Sequence, residues 1–299
     1  MEPAGTNNAR GIVLMIVAMA GFAIADTLIK SAAGRISPAQ VMFLLMGGGL
    51  LVFASIALLK GQRLLDARAF APMMVLRYLS EIISVGGMVL ALSFVPLSTV
   101  GAILQATPLL VAVGAVLFLG EKVSWRRWSA IILGFFGVLL IIGPGGEEFD
   151  AAILWAVASM VCLSIRDLTT RLVPPDIPSA SLASFTMIAA MPFAISWVLF
   201  NGESLFPAQA NWFTIVGMVG FGSFGYLLLI ASIRMSDISI VSPFRYTRLI
   251  FLLVTGVVVF DEKPSVSMLL GAGLVIISGV YMMWRERQVA SEAKNAAVD

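Results

Sequence analysis

Residues 97–119 read LSTVGAILQATPLLVAVGAVLFL, an apolar stretch without a charged side chain. About 20 such residues in a helix cross the hydrocarbon core of a bilayer, which is roughly 30 Å thick. The stretch is typical of the whole chain, because 60% of the 299 residues are apolar or aromatic and 12% are charged. In soluble domains, about 45–50% of the residues are apolar and about 25% are charged. The composition therefore excludes a water-soluble globular protein and predicts an all-α integral membrane protein.

Similar stretches recur along the chain, separated by short polar loops. Their lengths predict ten membrane spans, with both termini on the same side of the membrane. The predicted spans are 11–33, 37–59, 70–93, 97–119, 125–143, 151–173, 179–200, 211–233, 238–260 and 265–284.

Lysine and arginine residues predict which way the spans face, because cytoplasmic loops carry an excess of them. The loops on the side of the termini hold most of the 19 basic residues of the chain. The opposite side holds Lys30, Arg35 and Lys263, together with the acidic residues Glu147, Glu148, Asp150 and Glu203. Both termini are therefore predicted to be cytoplasmic.

A fixed offset along the chain superposes features of its two halves. It places Asp26 on Asp167, and the loop sequence Gly120-Glu121-Lys122 on Asp261-Glu262-Lys263. Each half holds five spans, an odd number, so the second half must enter the membrane with the opposite orientation. We therefore expect two inverted five-helix repeats, an architecture typical of transporters with a site near the midplane between the repeats.

Three features carry a resemblance to a known family. They are the ten spans in two halves, the pairs Glu121-Lys122 and Glu262-Lys263 after the fourth and ninth spans, and the sequence Ser242-Pro243-Phe244-Arg245-Tyr246 inside the ninth span. Because these features occur in this order and spacing, the chain resembles the EamA family of the drug/metabolite transporter superfamily over residues 10–285. The resemblance implies a bacterial inner-membrane transporter of small metabolites, often an exporter, with a central cavity lined by the third, fourth, eighth and ninth spans. It implies no particular substrate, and only a structural role for Glu121 and Glu262.

The spans and the repeat together predict the organisation of the chain. A cytoplasmic N-terminus at 1–10 precedes the first repeat at 11–143. A periplasmic linker at 144–150 leads to the second repeat at 151–284, and the tail at 285–299 is again cytoplasmic.

Charged side chains within spans are the strongest indication of a site. An ionised group at mid-bilayer costs at least about 2.5–3.5 kcal/mol and needs a partner or a water-filled cavity. Arg77 and Glu81 lie four residues apart on one face of the third span, where they can neutralise each other or face a cavity. The chain has no histidine, so Glu81, Asp26 and Asp167 are the carboxylates placed to carry a coupled proton.

Local pairing is the alternative for two of these carboxylates. Asp26 and Asp167 are each followed four residues later by a base, Lys30 and Arg171, with which they can form a helical ion pair. Arg166 directly precedes Asp167, but neighbouring residues do not face each other on a helix. We therefore expect Arg166 to reach the membrane interface or a different acid.

The ninth span carries Arg245 and Arg248, three residues apart, with no acidic residue in the middle of the span. Pro243 removes a backbone hydrogen bond just before them, which leaves carbonyl groups free to face a cavity. A guanidinium suits a carboxylate or phosphate, so two arginines without a local counter-ion indicate an anionic substrate group. The alternative is that these arginines pair across helices with Glu81 or Asp26.

Neighbouring residues extend this candidate site. Tyr246 adjoins the arginines and can stack on a substrate ring, although aromatic residues in apolar helices usually serve packing. The repeat places the two arginines on Leu104 and Thr107, next to Gln105, which predicts a second cavity wall that is polar without charge. The predicted substrate-binding residues are Arg245, Arg248, Tyr246, Gln105 and Arg77.

Other sequence signals indicate no cofactor, metal or catalytic residue. Residues 220–225 read GFGSFG and match the dinucleotide fingerprint, but they lie mid-span without the strand and the acidic residue that the fingerprint requires. The absence of histidine excludes histidine metal ligands and histidine-based nucleophile systems. The expected partners are a small-molecule substrate and the lipid bilayer, without nucleic acid. The sequence leaves a homodimer open.

These features predict a secondary transporter of a small polar organic metabolite, anionic or zwitterionic and amino-acid-like, that works by alternating access with proton coupling or exchange. One alternative is a transporter of a vitamin or nucleoside-like ring compound, held mainly by Phe244 and Tyr246. Another is a membrane scaffold or passive channel. An enzyme acting on lipids would need clustered acids or a base–nucleophile set, and the sequence shows neither.

Overall fold

The computed structural model describes residues 8–64, 67–120, 124–143, 150–174, 176–208, 211–236 and 238–296. The helices are α1 (Asn8–Ala32), α2 (Pro38–Leu59), α3 (Pro72–Phe94), α4 (Leu97–Leu104), α5 (Thr107–Leu119), α6 (Trp125–Ile142), α7 (Ile153–Thr170), α8 (Ser179–Phe200), α9 (Trp212–Met235), α10 (Ile238–Val241), α11 (Thr247–Phe260) and α12 (Val266–Ala296). Two 3₁₀ segments, Ala67–Phe70 and Ser242–Tyr246, complete the described elements.

Ten segments among the described residues are long and apolar enough to cross a membrane. Eight of the helices supply one segment each, α4 and α5 together form the fourth, and the ninth runs from Ser242 to Phe260. The predicted all-α membrane fold with ten transmembrane helices in two repeats is confirmed.

The start of α2 shows how local sequence fixes a helix boundary. The Ser37 hydroxyl accepts a hydrogen bond from the Gln40 backbone N–H, and the Gln40 side-chain oxygen accepts one from the Ser37 N–H. This reciprocal arrangement satisfies two backbone donors that a helix start would otherwise leave unpaired. Pro38 occupies the first position of the helix, where its missing N–H costs nothing.

The helix boundaries recur at the offset found in the sequence. Helix α2 corresponds to α8 at both ends, and the end of α5 corresponds to the end of α11. The residues that follow these ends share the left-handed backbone conformation, with φ of 63° at Gly61 and 70° at Gly202, and of 69° at Gly120 and 54° at Asp261. The second half of the chain therefore repeats the backbone of the first, including its turns.

The described helices pack into two compact units, and both sequence halves contribute to each. The first unit consists of the described residues within Met1–Ala23, Gly101–Phe149 and Phe224–Asp299. The second unit consists of those within Ile24–Val100 and Asp150–Ser223. Helices α1 and α9 contribute one part to each unit.

In the first unit, α6 and α12 approach at two glycines. A Cβ atom on Gly137 would lie 2.7 Å from the carbonyl oxygen of Gly271, and a Cβ atom on Gly271 would lie 2.5 Å from that of Gly137. Small residues permit this backbone approach, which favours helix association inside a membrane through close van der Waals packing. The contact leaves no room for a larger side chain on either helix.

Replacing Gly271 with alanine is therefore expected to destabilise the protein by about 1–3 kcal/mol, because the added methyl group meets a backbone oxygen that has little freedom to move. Gly273 on the same helix is the matched control, since a Cβ atom there would have no neighbour within 4 Å. Gly273→Ala should leave the unfolding temperature in detergent unchanged or slightly raised, given the higher helix propensity of alanine. Equal unfolding temperatures for the two variants would contradict the proposed tight contact.

In the second unit, α3 and α7 cross closely at small residues. The Ser159 hydroxyl donates to the Ser84 carbonyl oxygen over 2.7 Å, and a Cβ atom on Gly87 would lie 2.9 Å from the Trp155 carbonyl oxygen. A separate apolar cluster joins α3 to the start of α8, and its members are Ala69, Met74, Tyr78, Ile177, Leu182 and Phe185. Glu81 lies on α3 between this cluster and the crossing, and Arg77 lies beside the cluster residue Tyr78.

Candidate functional site

In the first unit, two membrane spans are interrupted at equivalent positions of the repeat. The fourth span breaks between the end of α4 at Leu104 and the start of α5 at Thr107. The ninth span begins with the 3₁₀ segment Ser242–Tyr246 before α11 starts. Interrupted helices leave backbone groups that need other partners, and in transporters such breaks typically lie at the substrate site.

Threonine side chains satisfy part of the backbone at each break. The Thr107 hydroxyl donates to the Leu104 carbonyl oxygen over 2.6 Å, and the Thr247 hydroxyl donates to the Phe244 carbonyl oxygen over 2.6 Å. The two breaks are also joined directly, because the Gln105 side-chain nitrogen donates to the Arg245 carbonyl oxygen over 3.1 Å. A residue of the fourth span thus holds the backbone that carries one of the two predicted anion-binding arginines.

The two arginines of the ninth span differ in their surroundings. Arg245 is exposed, whereas Arg248 is partly buried and its Cζ atom lies 5.3 Å from the centre of the Phe22 ring of α1. A guanidinium over an aromatic face is attracted by the negative charge density of the ring. The sequence did not identify Phe22, because it is one of 19 phenylalanines and no polar residue adjoins it in the sequence.

The Tyr246 side chain is buried within the first unit, where it packs against α12. Its side chain is 5% exposed, and a Cβ atom on Gly279 of α12 would overlap its hydroxyl group. The hydroxyl has no hydrogen-bond partner among the described residues. A contact between Tyr246 and substrate remains a prediction.

In the second unit, Arg166 of α7 holds two carboxylates. Its Nη1 atom lies 3.0 Å from Glu81 Oε2 of α3, and its Nη2 atom lies 2.5 Å from Asp167 Oδ1. A second bond, from Nε to the same Asp167 oxygen, measures 2.9 Å. The expectation that Arg166 would turn away from its neighbour is therefore wrong, although the expectation of a separate acid is met by Glu81. The long arginine side chain folds back along the helix to Asp167 while its other edge reaches α3.

Arg77 binds neutral groups in the same unit. It is buried, its Nε atom donates to the Thr170 hydroxyl over 2.9 Å, and its Nη1 atom donates to the Thr186 hydroxyl of α8. Glu81, its expected partner on the same helix, accepts two hydrogen bonds from Arg166 of α7. The sequence missed the two threonines, which also donate to backbone carbonyl groups of their own helices. Substrate binding by Arg77 remains a prediction.

The predicted local pairs of the first and sixth spans have different outcomes. The structure gives Asp167 the neighbouring Arg166 as its partner in place of Arg171. Lys30 donates to the Val95 carbonyl oxygen over 2.7 Å and to the Leu92 carbonyl oxygen over 3.4 Å. A cation is favourable at a helix C-terminus such as that of α3. The pair of Lys30 with Asp26, which is buried, remains a prediction.

The two repeats differ at the position of the Arg166–Glu81 ion pair. The repeat offset places Arg166 on Ala25 and Glu81 on Gly222. A Cβ atom on Gly222 would lie 3.8 Å from that of Ala25, so these two positions also face each other. Both contacts join residues of the two repeats, and one of them is ionic where its repeat-related counterpart is apolar.

Three sequence predictions fall wholly or mostly outside the described residues, namely the N-terminal segment at 1–10, the pair Glu121-Lys122 and the linker at 144–150. Among the residues that the structure does describe, no cluster of three or more histidine, cysteine, aspartate or glutamate side chains is suited to hold a metal ion.

A family model described as the EamA-like transporter family matches residues 9–143 and again residues 150–285. The chain belongs to the EamA-like transporter family. An S-adenosylmethionine uptake transporter of Rickettsia bellii (strain RML369-C) is 27% identical over 210 residues, which are 67% of this chain and 68% of that protein. A riboflavin transporter of Vibrio cholerae is 26% identical over 204 residues, 66% of this chain and 65% of that protein.

A solved crystal structure shares the fold of this EamA protein, with a TM-score of 0.63 at 17% identity over 94% of this chain and 99% of the other. Family membership and the relatives together show a multi-pass inner-membrane protein that transports small metabolites.

Proposed function

We propose that this EamA protein is a secondary transporter of a small organic metabolite that carries a carboxylate, either anionic or zwitterionic and amino-acid-like. It works by alternating access, with both termini in the cytoplasm. The observation that carries the proposal is the junction of the two broken spans, where Gln105 binds the backbone of Arg245. Two arginines lie at this junction, and a guanidinium is the side chain best suited to a carboxylate.

The named relatives support a substrate class that combines both sequence-based alternatives. One relative is named for S-adenosylmethionine and another for riboflavin. S-adenosylmethionine contains a zwitterionic amino-acid group as well as a nucleoside ring, whereas riboflavin has a ring system without a carboxylate. Arg245 and Arg248 favour the amino-acid group as the part that the protein recognises. Recognition by the ring alone is the second candidate.

Proton coupling is assigned to the carboxylates around Arg166. Glu81 and Asp167 share this one guanidinium, so protonation of either carboxyl group changes the charge balance inside the second unit. Asp26, which is buried in the first span, is the third candidate for the coupled proton. Exchange of one metabolite for another is the alternative energy source.

Counterflow tests the proposal directly. Proteoliposomes loaded with unlabelled S-adenosylmethionine are expected to accumulate labelled S-adenosylmethionine saturably, because a carrier with a single alternating site exchanges its substrate across the membrane. An imposed pH gradient should increase uptake into empty vesicles if transport is proton-coupled. Liposomes without the protein are the control. Counterflow with riboflavin alone would favour recognition by the ring, and linear, unsaturable flux of both compounds would indicate a channel.

A further inference from the structure

The ring of Phe22 on α1 has neighbours on two other helices of the first unit. On α11, the Cζ atom of Arg248 lies 5.3 Å from the centre of the ring. On α9, a Cβ atom on Gly225 would lie 3.2 Å from the Phe22 Cδ1 atom and 2.9 Å from the Ala18 carbonyl oxygen. Glycine at this position therefore allows the ring and the α1 backbone to approach α9 closely. Contact with α9 therefore holds the Phe22 ring in the position where it meets the Arg248 guanidinium.

An aromatic face restricts a guanidinium without using its hydrogen bonds. The attraction is between the cation and the electron density of the ring, so the contact itself uses none of the N–H donors of the guanidinium. An arginine held in this way loses less conformational freedom when a carboxylate binds, because part of its side chain is already ordered. Contact with Phe22 is thus a means of presenting Arg248 to an anion.

We propose that Phe22 is a specificity-determining residue that positions Arg248 to receive the carboxylate of the substrate. The inference rests on the proposed function, and it adds a residue that has no polar group of its own. The face of Phe22 is occupied by a cation of the protein. The ring consequently favours ligands with a carboxylate over ligands that offer a positive charge alone.

Packing is the competing role for Phe22. The ring lies partly buried against an apolar cluster whose buried members are Met15, Ala18, Met19 and Val241. A leucine would fill much of the same space and keep this packing, but it has no aromatic face. A tyrosine keeps the aromatic face. The two substitutions therefore separate packing from the interaction with Arg248.

The test compares two ligands that differ in one group, S-adenosylmethionine and its decarboxylated form. Dissociation constants are measured for the purified full-length protein, and the ratio of the two constants reports recognition of the carboxylate. The wild-type protein should prefer S-adenosylmethionine, and Arg248→Gln should remove the preference. Phe22→Leu should reduce it by about tenfold with little change in the affinity for the decarboxylated compound. Phe22→Tyr should retain most of it.

A second variant reaches the same ring from a different helix. Gly225→Ala forces the Phe22 ring or the α1 backbone to shift, so it should also reduce the preference while leaving residue 22 unchanged. Unfolding temperatures of all variants confirm that the compared proteins are folded.

Two outcomes overturn the inference in distinguishable ways. If Arg248→Gln loses the preference but Phe22→Leu and Gly225→Ala both keep it, Phe22 serves packing alone and the proposed function stands. If the wild-type protein binds both ligands equally or binds neither, the proposed carboxylate recognition fails as well.

Discussion

Replacing Arg166 with glutamine is expected to lower the free energy of unfolding by about 3–5 kcal/mol. The substitution removes the guanidinium that binds Glu81 and Asp167 and leaves two carboxylates without their shared counter-ion. The three side chains are 25%, 19% and 28% exposed, so little solvent replaces the lost contacts. Equilibrium unfolding of the purified protein in mixed micelles measures the effect.

Arg68 provides the matched control. It forms an ion pair with Asp176 at 2.6 Å, but the two side chains are 49% and 62% exposed. Exposed pairs contribute about 0–1 kcal/mol, so Arg68→Gln should have a small effect. Combining Arg166→Met with Glu81→Gln and Asp167→Asn should recover much of the lost stability, because no uncompensated charge remains. Equal losses for Arg166→Gln and Arg68→Gln would show that the partly buried cluster around Arg166 has no special role in stability.

Replacing Arg245 with glutamine is expected to weaken binding of S-adenosylmethionine by about 10- to 100-fold. A hydrogen bond to a charged group contributes about 1.5–3 kcal/mol, and each 1.4 kcal/mol changes affinity tenfold. The substitution keeps the backbone carbonyl group that accepts the Gln105 bond, so the junction between the two broken spans is preserved. Ligand-dependent stabilisation measures the change, since a ligand at 100 times its dissociation constant adds about 2.7 kcal/mol to the stability of the folded state.

Arg126 is the control for the loss of a surface cation. Its guanidinium lies 5.7 Å from the centre of the exposed Trp125 ring at the start of α6. Arg126→Gln should leave ligand stabilisation unchanged, and Arg245→Lys should retain part of it because the charge is kept. Full stabilisation of Arg245→Gln by S-adenosylmethionine would remove Arg245 from the site.

The spans could be predicted closely because the length of an apolar run is set by the thickness of the bilayer. The seventh span, predicted at 179–200, coincides with α8. The interruption of the ninth span was anticipated from Pro243. The fourth span was predicted as one continuous helix, but the helix is interrupted after Leu104. Pro108 marks that break, but a proline in the first turn of a helix and a proline inside a longer one look alike in a sequence.

The charged residues of the site could be found from the sequence, but their partners could not. Local spacing on one helix suggested Arg77 with Glu81, whereas the crossing of α3 and α7 pairs Glu81 with Arg166. Threonine hydroxyls on two helices accept hydrogen bonds from Arg77, and no periodic pattern in the sequence indicates these threonines. Which side chains meet is decided by helix crossings, and those depend on contacts between residues far apart in the chain.

The single Arg166–Glu81 contact shows what is gained when two similar halves share one polypeptide. Two identical five-span chains related by a two-fold axis would carry every residue twice, so a charge added to one copy would also appear in the other. Each buried ion pair would then incur its desolvation penalty at two places. On a fused chain the halves can diverge. Ala25 and Gly222 keep one crossing free of charge while Arg166 and Glu81 specialise the other. Broken symmetry of this kind allows an ion pair at one of two repeat-related contacts without requiring one at the other.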